Sequence, residues 1–299
     1  MRQSSPWLLL LLLPPLLAAG ADFYVDPESG LPDNDGSAER PWQSLQDLFR
    51  SGRIESRTWD ALPYSSSRTL VPLHPGAPVR GGDTIWLRNG DYGELVIRGF
   101  YNSEPVTIAA VAGHTPRFRS INLYSAAHWV LRGLHVSPAY GPGAKPAPLV
   151  GVASHPHSGP AHDITVEHCR LRSIEDSTDW TAADWNDRAC DGILAGGTRV
   201  TLRGNQLKNV NFGISVTASQ SLVDSNLVEN FAGDGIRGLG DYVTYQFNLV
   251  KNCYDVNGNH DDGFQSWTRG AGGVGSGEVV GVVLRGNRII NYEDPSQPH

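Results

Sequence analysis

The sequence predicts an all-β solenoid whose second half advances by one coil every 21 or 22 residues, and three observations carry that reading. Asn205, Asn226, Asn248 and Asn287 are each followed by an aliphatic residue two positions later and by another asparagine four positions later. A glycine followed by an apolar residue precedes each of them: Gly192, Gly213 and Gly235 stand 13 residues ahead of their asparagine, and Gly263 stands 24 ahead. The runs between these marks alternate apolar and polar residues and are rich in Val, Ile and Thr, as half-buried strands require. Propeller blades need about 40 residues, and helical repeats do not combine β-branched residues with glycine and asparagine in this way.

Composition agrees with a folded chain. Of 299 residues, 39% are hydrophobic and 18% charged, and the 34 glycines follow no three-residue period, which excludes a disordered or collagen-like chain. The net charge of −7 argues against a nucleic acid as the main partner. An acidic protein that takes an acidic ligand needs a local cation, either a basic cleft or a metal.

In chain order, the first element is a leader. Arg2 precedes an apolar run over 7–17 that Pro14 and Pro15 interrupt, and the segment closes with Ala19, Gly20 and Ala21. A basic start, an apolar centre and a small-residue end describe a signal peptide over 1–21, too short and proline-broken to span a bilayer. The mature chain is expected to begin at Asp22, to be secreted or periplasmic, and to have no membrane contact. Residues 22–80 read as an N-terminal cap and loop: a strand from Phe23, a turn-rich stretch, a short helix ending near Leu48, and a long loop over 52–82. Residues 81–299 read as the solenoid, a right-handed parallel β-helix in the resemblance given below, with weaker coil copies at Trp129 and Ile164 and an 11-residue insertion around the glycine-rich stretch 269–278. No cap-like segment follows Asn291, so the solenoid is expected to be C-terminally incomplete.

The asparagines at identical offsets are expected to form buried ladders, each amide satisfied by the next coil. Cys169, Cys190 and Cys253 are odd in number and lack a Cys-x-x-Cys pair, so at most one bridge forms and a zinc site is not expected. Lys208, Glu229 and Lys251 occupy equivalent coil positions, which describes a surface charge ladder.

The opening from Phe23 to Pro27, the phrase from Gly82 to Tyr92, and the Gly-Asn coils resemble secreted right-handed parallel β-helix proteins of the pectate-lyase-like superfamily. A local segment, Asn259-His260-Asp261-Asp262-Gly263-Phe264-Gln265, resembles the acidic segment of family-nine polysaccharide lyases, in which carboxylates bind a catalytic calcium. The resemblance implies Ca2+ as cofactor, with Asp261 and Asp262 as ligands, Gln265 in place of a further Asp, and Asp234, one coil earlier, as the remaining carboxylate. It also implies a basic residue on a later coil as the proton acceptor, and that coil falls near or beyond His299. No lysine follows Lys251, so the base is either absent from this chain, lying past His299, or is Lys251, Arg237 or Arg269.

The chemistry stands apart from the resemblance. A uronate sugar loses its C5 hydrogen only when its carboxylate is neutralised, and calcium with a Lys or Arg base does this. Trp180 and Trp185, in the insertion over 175–188, either stack on sugar rings beside His260 or close over the coil as a hydrophobic lid. The reading is a monomeric polysaccharide lyase acting on an acidic glycan. Two alternatives share the fold: a glycoside hydrolase using Asp234, Asp261 and Asp262 as acid and base, and a non-catalytic carbohydrate-binding solenoid.

Overall fold

The computed structural model describes residues 20–293; of the expected leader, only Gly20 and Ala21 fall within them, and the Arg269 side chain also lies outside the described set. His299 lies outside the described residues too, and with it the expectation of a base on a coil near or beyond that position. Among the described residues, no helix is long and apolar enough to cross a membrane.

The strands join almost entirely in parallel, coil upon coil. A nine-stranded sheet runs from Asp22–Val25 through Thr84–Leu87, Tyr101–Ala110, Ala127–Arg132, His162–Glu167, Thr198–Arg203, Leu222–Asp224 and Thr244–Gln246 to Val283–Arg285. A second, 13-stranded sheet is bent into two faces. The bend occurs within the strand Pro116–Tyr124, whose first residues pair with His135–Val136 and whose last pair with Val150–Ala153. Each regular coil therefore has three faces: a short strand such as Ile193–Ala195, a strand of the nine-stranded sheet such as Thr198–Arg203, and a third such as Gln206–Val210. One column of aliphatic side chains points inward from each, including Ile164, Val200, Leu202, Ile214, Val223 and Val250, all essentially buried.

The corners explain the repeat. Asn205, Asn226, Asn248 and Asn287 form the expected ladder: each side-chain amide up to Asn248 donates to the next asparagine Oδ1 at 2.9–3.0 Å, and that oxygen also accepts the backbone N–H of the same preceding asparagine. A second ladder joins Asn209, Asn230 and Asn252, which all have left-handed backbone (φ 54°, 58° and 61°). Asparagine tolerates that region better than other non-glycine residues, so the repeat keeps it there.

At the N-terminal end, the helix Leu45–Arg50 is capped by Ser44, whose hydroxyl accepts the Asp47 N–H, and it buries Leu45, Leu48 and Phe49. Phe49 packs edge-on to Phe100, with ring centres 5.1 Å apart, and tilts against Trp129. Two expectations change. Asp22–Val25 is the first strand of the nine-stranded sheet, and the stretch expected to be a long loop contains an antiparallel hairpin, Ser56–Trp59 with Leu70–Leu73. Sequence hides the hairpin because its Ser, Pro and Arg content reads as loop, while its pairing is set by packing on Tyr101 and Asn102, to whose carbonyls Arg57 donates. The three cysteines are free; burial raises Cys190 to about 11 and Cys169 and Cys253 to about 12, which leaves them unreactive thiols.

Candidate functional site

The predicted acidic residues cluster at the corner where the third face turns into the short-strand face, but each has different partners. Asp234 is buried; its Oδ1 accepts the backbone N–H of Asp262 at 3.0 Å, and its Oδ2 accepts from Arg237 Nε at 2.5 Å. Asp191 makes the same coil-to-coil bond to the Phe212 N–H. With both oxygens engaged, Asp234 is a brace between coils. Asp262 Oδ2 lies 2.9 Å from His260 Nδ1 and accepts from Gln265 Nε2 at 3.0 Å, so Gln265 turns its amide nitrogen, not its carbonyl, toward the carboxylate.

Asp261 differs from its neighbours. Both of its carboxylate oxygens are buried and neither has a hydrogen-bond partner. Burial, with the charges of Asp255, Asp234 and Asp262 adding to it, raises its carboxyl to about 6. A carboxylate so placed calls for a proton or a cation, and the Asp261 position therefore fits a hard cation.

Of the expected bases, Lys251 and Arg237 are otherwise employed, as are the stacking aromatics. Lys251 pairs with Glu293 at 2.6 Å and Glu229 at 3.7 Å, and these bonds raise its ammonium above the usual lysine value, opposite to what a general base needs. Register aligns Lys208, Glu229 and Lys251 as the expected charge ladder. Arg237 is ion-paired to Asp234 with its guanidinium carbon 3.2 Å from the Phe212 ring centre, which fixes it as a cation. The strand Arg269–Gly270 belongs to a small hairpin with Gly273–Val274 in the insertion. The remaining expectation, a base near or beyond His299, falls outside the described residues, so any base found among those residues has to come from elsewhere in the coils. Trp180 and Trp185 are buried in a satellite cluster with Ala189, Ala232 and Tyr254, so of the two expectations the lid holds and their assignment to sugar stacking is corrected. His260 remains exposed.

A site that sequence reasoning missed lies on the outer face of the nine-stranded sheet. Five successive coils enter this sheet through a residue with left-handed backbone: His128, Asp163, Arg199, Gln220 and Tyr242, with φ between 53° and 58°. The bend turns these side chains outward in one row. Beside it runs a row of Thr107, Val130, Thr165, Thr201, Leu222 and Thr244, and between the two lies a groove of ≈ 710 Å³ along the solenoid axis. The next outward row is tied by ion pairs, Arg132 with Glu167 at 2.6 Å and Arg203 with Asp224 at 3.3 Å.

Within the first row, Arg199 holds Asp163 by two bonds, Nε to Oδ1 at 2.8 Å and Nη2 to Oδ2 at 2.6 Å. His162 Nδ1 meets the same Oδ2 at 2.7 Å. The Arg199 bonds, joined by His162, hold the Asp163 carboxyl at about 2, so it is ionised and accepts only. His128 lines the groove with its ring edge-on to His162 (centres 5.6 Å apart) and its Nε2 3.8 Å from Asp163 Oδ2, beyond hydrogen-bond range. Burial holds the His128 imidazole below its ordinary value, so it is neutral at pH 7.

No family model matches the sequence, and no curated protein matches it. Solved structures do. A rhamnogalacturonan lyase shares 13% identity at TM-score 0.54, over 90% of this chain and 67% of that one. Pectate lyase C from Erwinia chrysanthemi shares 14% at TM-score 0.46 over 94% and 82%, and a family 136 lacto-N-biosidase from Eubacterium ramulus 11% at 0.34 over 92% and 68%. The fold is that of the pectate-lyase-like right-handed parallel β-helix.

On such a solenoid the outward rows repeat at the strand spacing of about 4.8 Å, so an extended ligand lying along the axis meets one side chain of each row per coil. The groove has a hydroxyl-bearing floor, a cation and a neutral imidazole. Among the described residues, His128, His162 and Asp163 alone bring three potential metal-ligand atoms within 4.8 Å of one another. Arg199 Nη2, 2.6 Å from Asp163 Oδ2 and 3.4 Å from His162 Nδ1, already supplies the positive charge there.

Proposed function

We propose that the protein is a secreted polysaccharide lyase that cleaves a uronate-containing glycan by β-elimination, with the groove of the nine-stranded sheet as its binding face. The observation that carries this reading is Arg199, half-exposed in the groove that the neutral His128 also lines, with Asp163 between them. A uronate requires its carboxylate neutralised before C5 can release a proton, and a fixed guanidinium does so without leaving its place.

Calcium enters a second reading, favoured by the unpartnered Asp261 carboxylate. Asp261 and Asp262 would hold it, and it would supply a positive charge to which a uronate carboxylate can bind. A hydrolase built on Asp234, Asp261 and Asp262 has less behind it, because Asp234 has no free oxygen.

Incubation with polygalacturonate, alginate and glycosaminoglycans, in calcium and in chelator, tests both. A lyase yields an unsaturated product that absorbs in the ultraviolet. Reducing ends without absorbance would make the protein a hydrolase, and binding without cleavage would make it a carbohydrate-binding solenoid. Activity surviving chelator but lost in Arg199→Gln favours the groove; activity abolished by chelator and in Asp261→Asn favours the calcium reading.

A further inference from the structure

We infer that His128 is the proton acceptor of the groove and that Arg199 Nη1 receives the substrate carboxylate. This rests on the lyase reading above and assigns the residues that perform it.

Availability decides between the two histidines. His162 gives its Nδ1 to Asp163, whereas no described residue hydrogen-bonds a ring nitrogen of His128, and neither nitrogen is a buried orphan. His128 thus carries a solvent-accessible lone pair at the groove wall. The groups facing it are Asp163 and His162 from the next coil, Glu104 from the preceding one and Arg57 from the hairpin; burial outweighs the two acids and keeps the ring neutral. Asp163 cannot take this role, since Arg199 holds both its oxygens.

Arg199 is built for a second partner. Its Nε and Nη2 are committed to Asp163, which fixes the plane of the guanidinium. Nη1 makes no hydrogen bond among the described residues, and the side chain is 49% exposed. A planar fork anchored on one edge offers its other edge in a fixed direction, the arrangement that recognises a carboxylate. His162 and Asp163 act as positioning residues for this geometry, with Asp163 also balancing the arginine charge in the absence of substrate.

In the reaction, the C5–H bond breaks and its proton passes to a His128 ring nitrogen. The electron pair forms the C4–C5 double bond, the C4–O bond breaks, and the departing glycosidic oxygen takes a proton from water. His128 returns its proton to solvent.

The test uses the full chain and the glycan it cleaves best. His128→Gln should lower kcat at least ~100-fold, within the range general-base catalysis contributes, with KM changed less than about threefold and an unchanged melting temperature. The acid limb of the kcat/KM profile should vanish with it. Arg199→Lys, which keeps the charge and loses the fork, should raise KM about tenfold, and Asp163→Asn should shift the acid limb. A His128→Gln enzyme retaining a third of wild-type kcat overturns the assignment. If wild type cleaves no glycan, the lyase reading fails on its own, and NMR of the histidine ring carbons with a glucuronate oligosaccharide decides the rest. His128 should titrate below the free-imidazole value and shift on ligand addition; an ordinary value with no shift sinks the site. Stoichiometric zinc binding lost in His128→Ala and His162→Ala would replace it with a metal centre.

Discussion

Asp262 donates its backbone N–H to the Oδ1 of Asp234 one coil earlier, at 3.0 Å, and Arg237 closes on the other oxygen of the same carboxylate. The bond repeats the one between Phe212 and Asp191, so the carboxylates ahead of Gly192 and Gly235 are fastenings between coils. Asp234→Ala should therefore leave a buried N–H and the Arg237 charge without a partner, costing about 3 kcal/mol of unfolding free energy. Urea denaturation measures this. Any calcium affinity should fall less in the folded fraction of this variant than in Asp261→Asn, since Asp234 acts on Asp261 only through its charge, and isothermal titration at low temperature checks this.

Asp261 predicts a pH dependence of stability. Its carboxyl lies at about 6 in the fold against 3.8 in an unstructured peptide, so the folded state holds its proton more tightly than the unfolded chain. That favours the fold fully below pH 4, and the contribution is lost as pH rises through about 6. In chelator, the melting temperature should fall between pH 4.5 and pH 7 more in wild type than in Asp261→Asn, and calcium should restore it only in wild type. Equal pH slopes in the two proteins would mean that this carboxylate is already satisfied.

How much of this was legible follows from what repeats. The Asn and Gly offsets recur every coil because each satisfies a corner of the backbone, so periodicity revealed the solenoid and its ladder. The groove residues do not repeat in type: His128, Asp163 and Arg199 stand 35 and 36 residues apart and belong to no motif. Their shared signal is positional, one residue before the first inward side chain of the sheet, at Trp129, Ile164 and Val200. Alternation turns that side chain outward, but coils of unequal length hide that these three share one row. Conversely, sequence groups Asp234 with Asp261 and Asp262 but does not show that Asp234 is already bonded through both oxygens while Asp261 has no partner.

The asparagine ladder supports a third prediction. Asn226 is 2% exposed; its Nδ2 serves Leu202 O at 2.9 Å and Asn248 Oδ1 at 3.0 Å, and its Oδ1 accepts both the backbone and the side-chain N–H of Asn205. Leucine has a similar volume but satisfies none of these, so Asn226→Leu should cost about 3 kcal/mol through two or more orphaned buried groups. Hydrogen exchange should show the loss first at the amide of Asn205, whose acceptor the substitution removes. A cost below about 1 kcal/mol would mean that water replaces the ladder.

The tryptophan lid gives the last. Thr181 and Asp184 form a capping box at the start of the helix Ala182–Arg188, which aims Trp185 inward at 2% exposure. Its ring stacks on Tyr254 with centres 4.9 Å apart and meets Trp180 edge-on at 5.1 Å. The insertion thus covers the corner near Tyr254 with aromatic surface that a glycan cannot reach. Trp185→Ala should cost about 3–4 kcal/mol by leaving a cavity that the short helix cannot refill. Trp185→Phe, which keeps the stack, should cost less than half of that. Neither should change the apparent affinity for a glycan in the groove once the folded fraction is accounted for. A Trp185→Phe protein with native stability and tenfold weaker glycan binding would return this aromatic to the binding surface, because a buried packing role predicts the reverse pairing of effects.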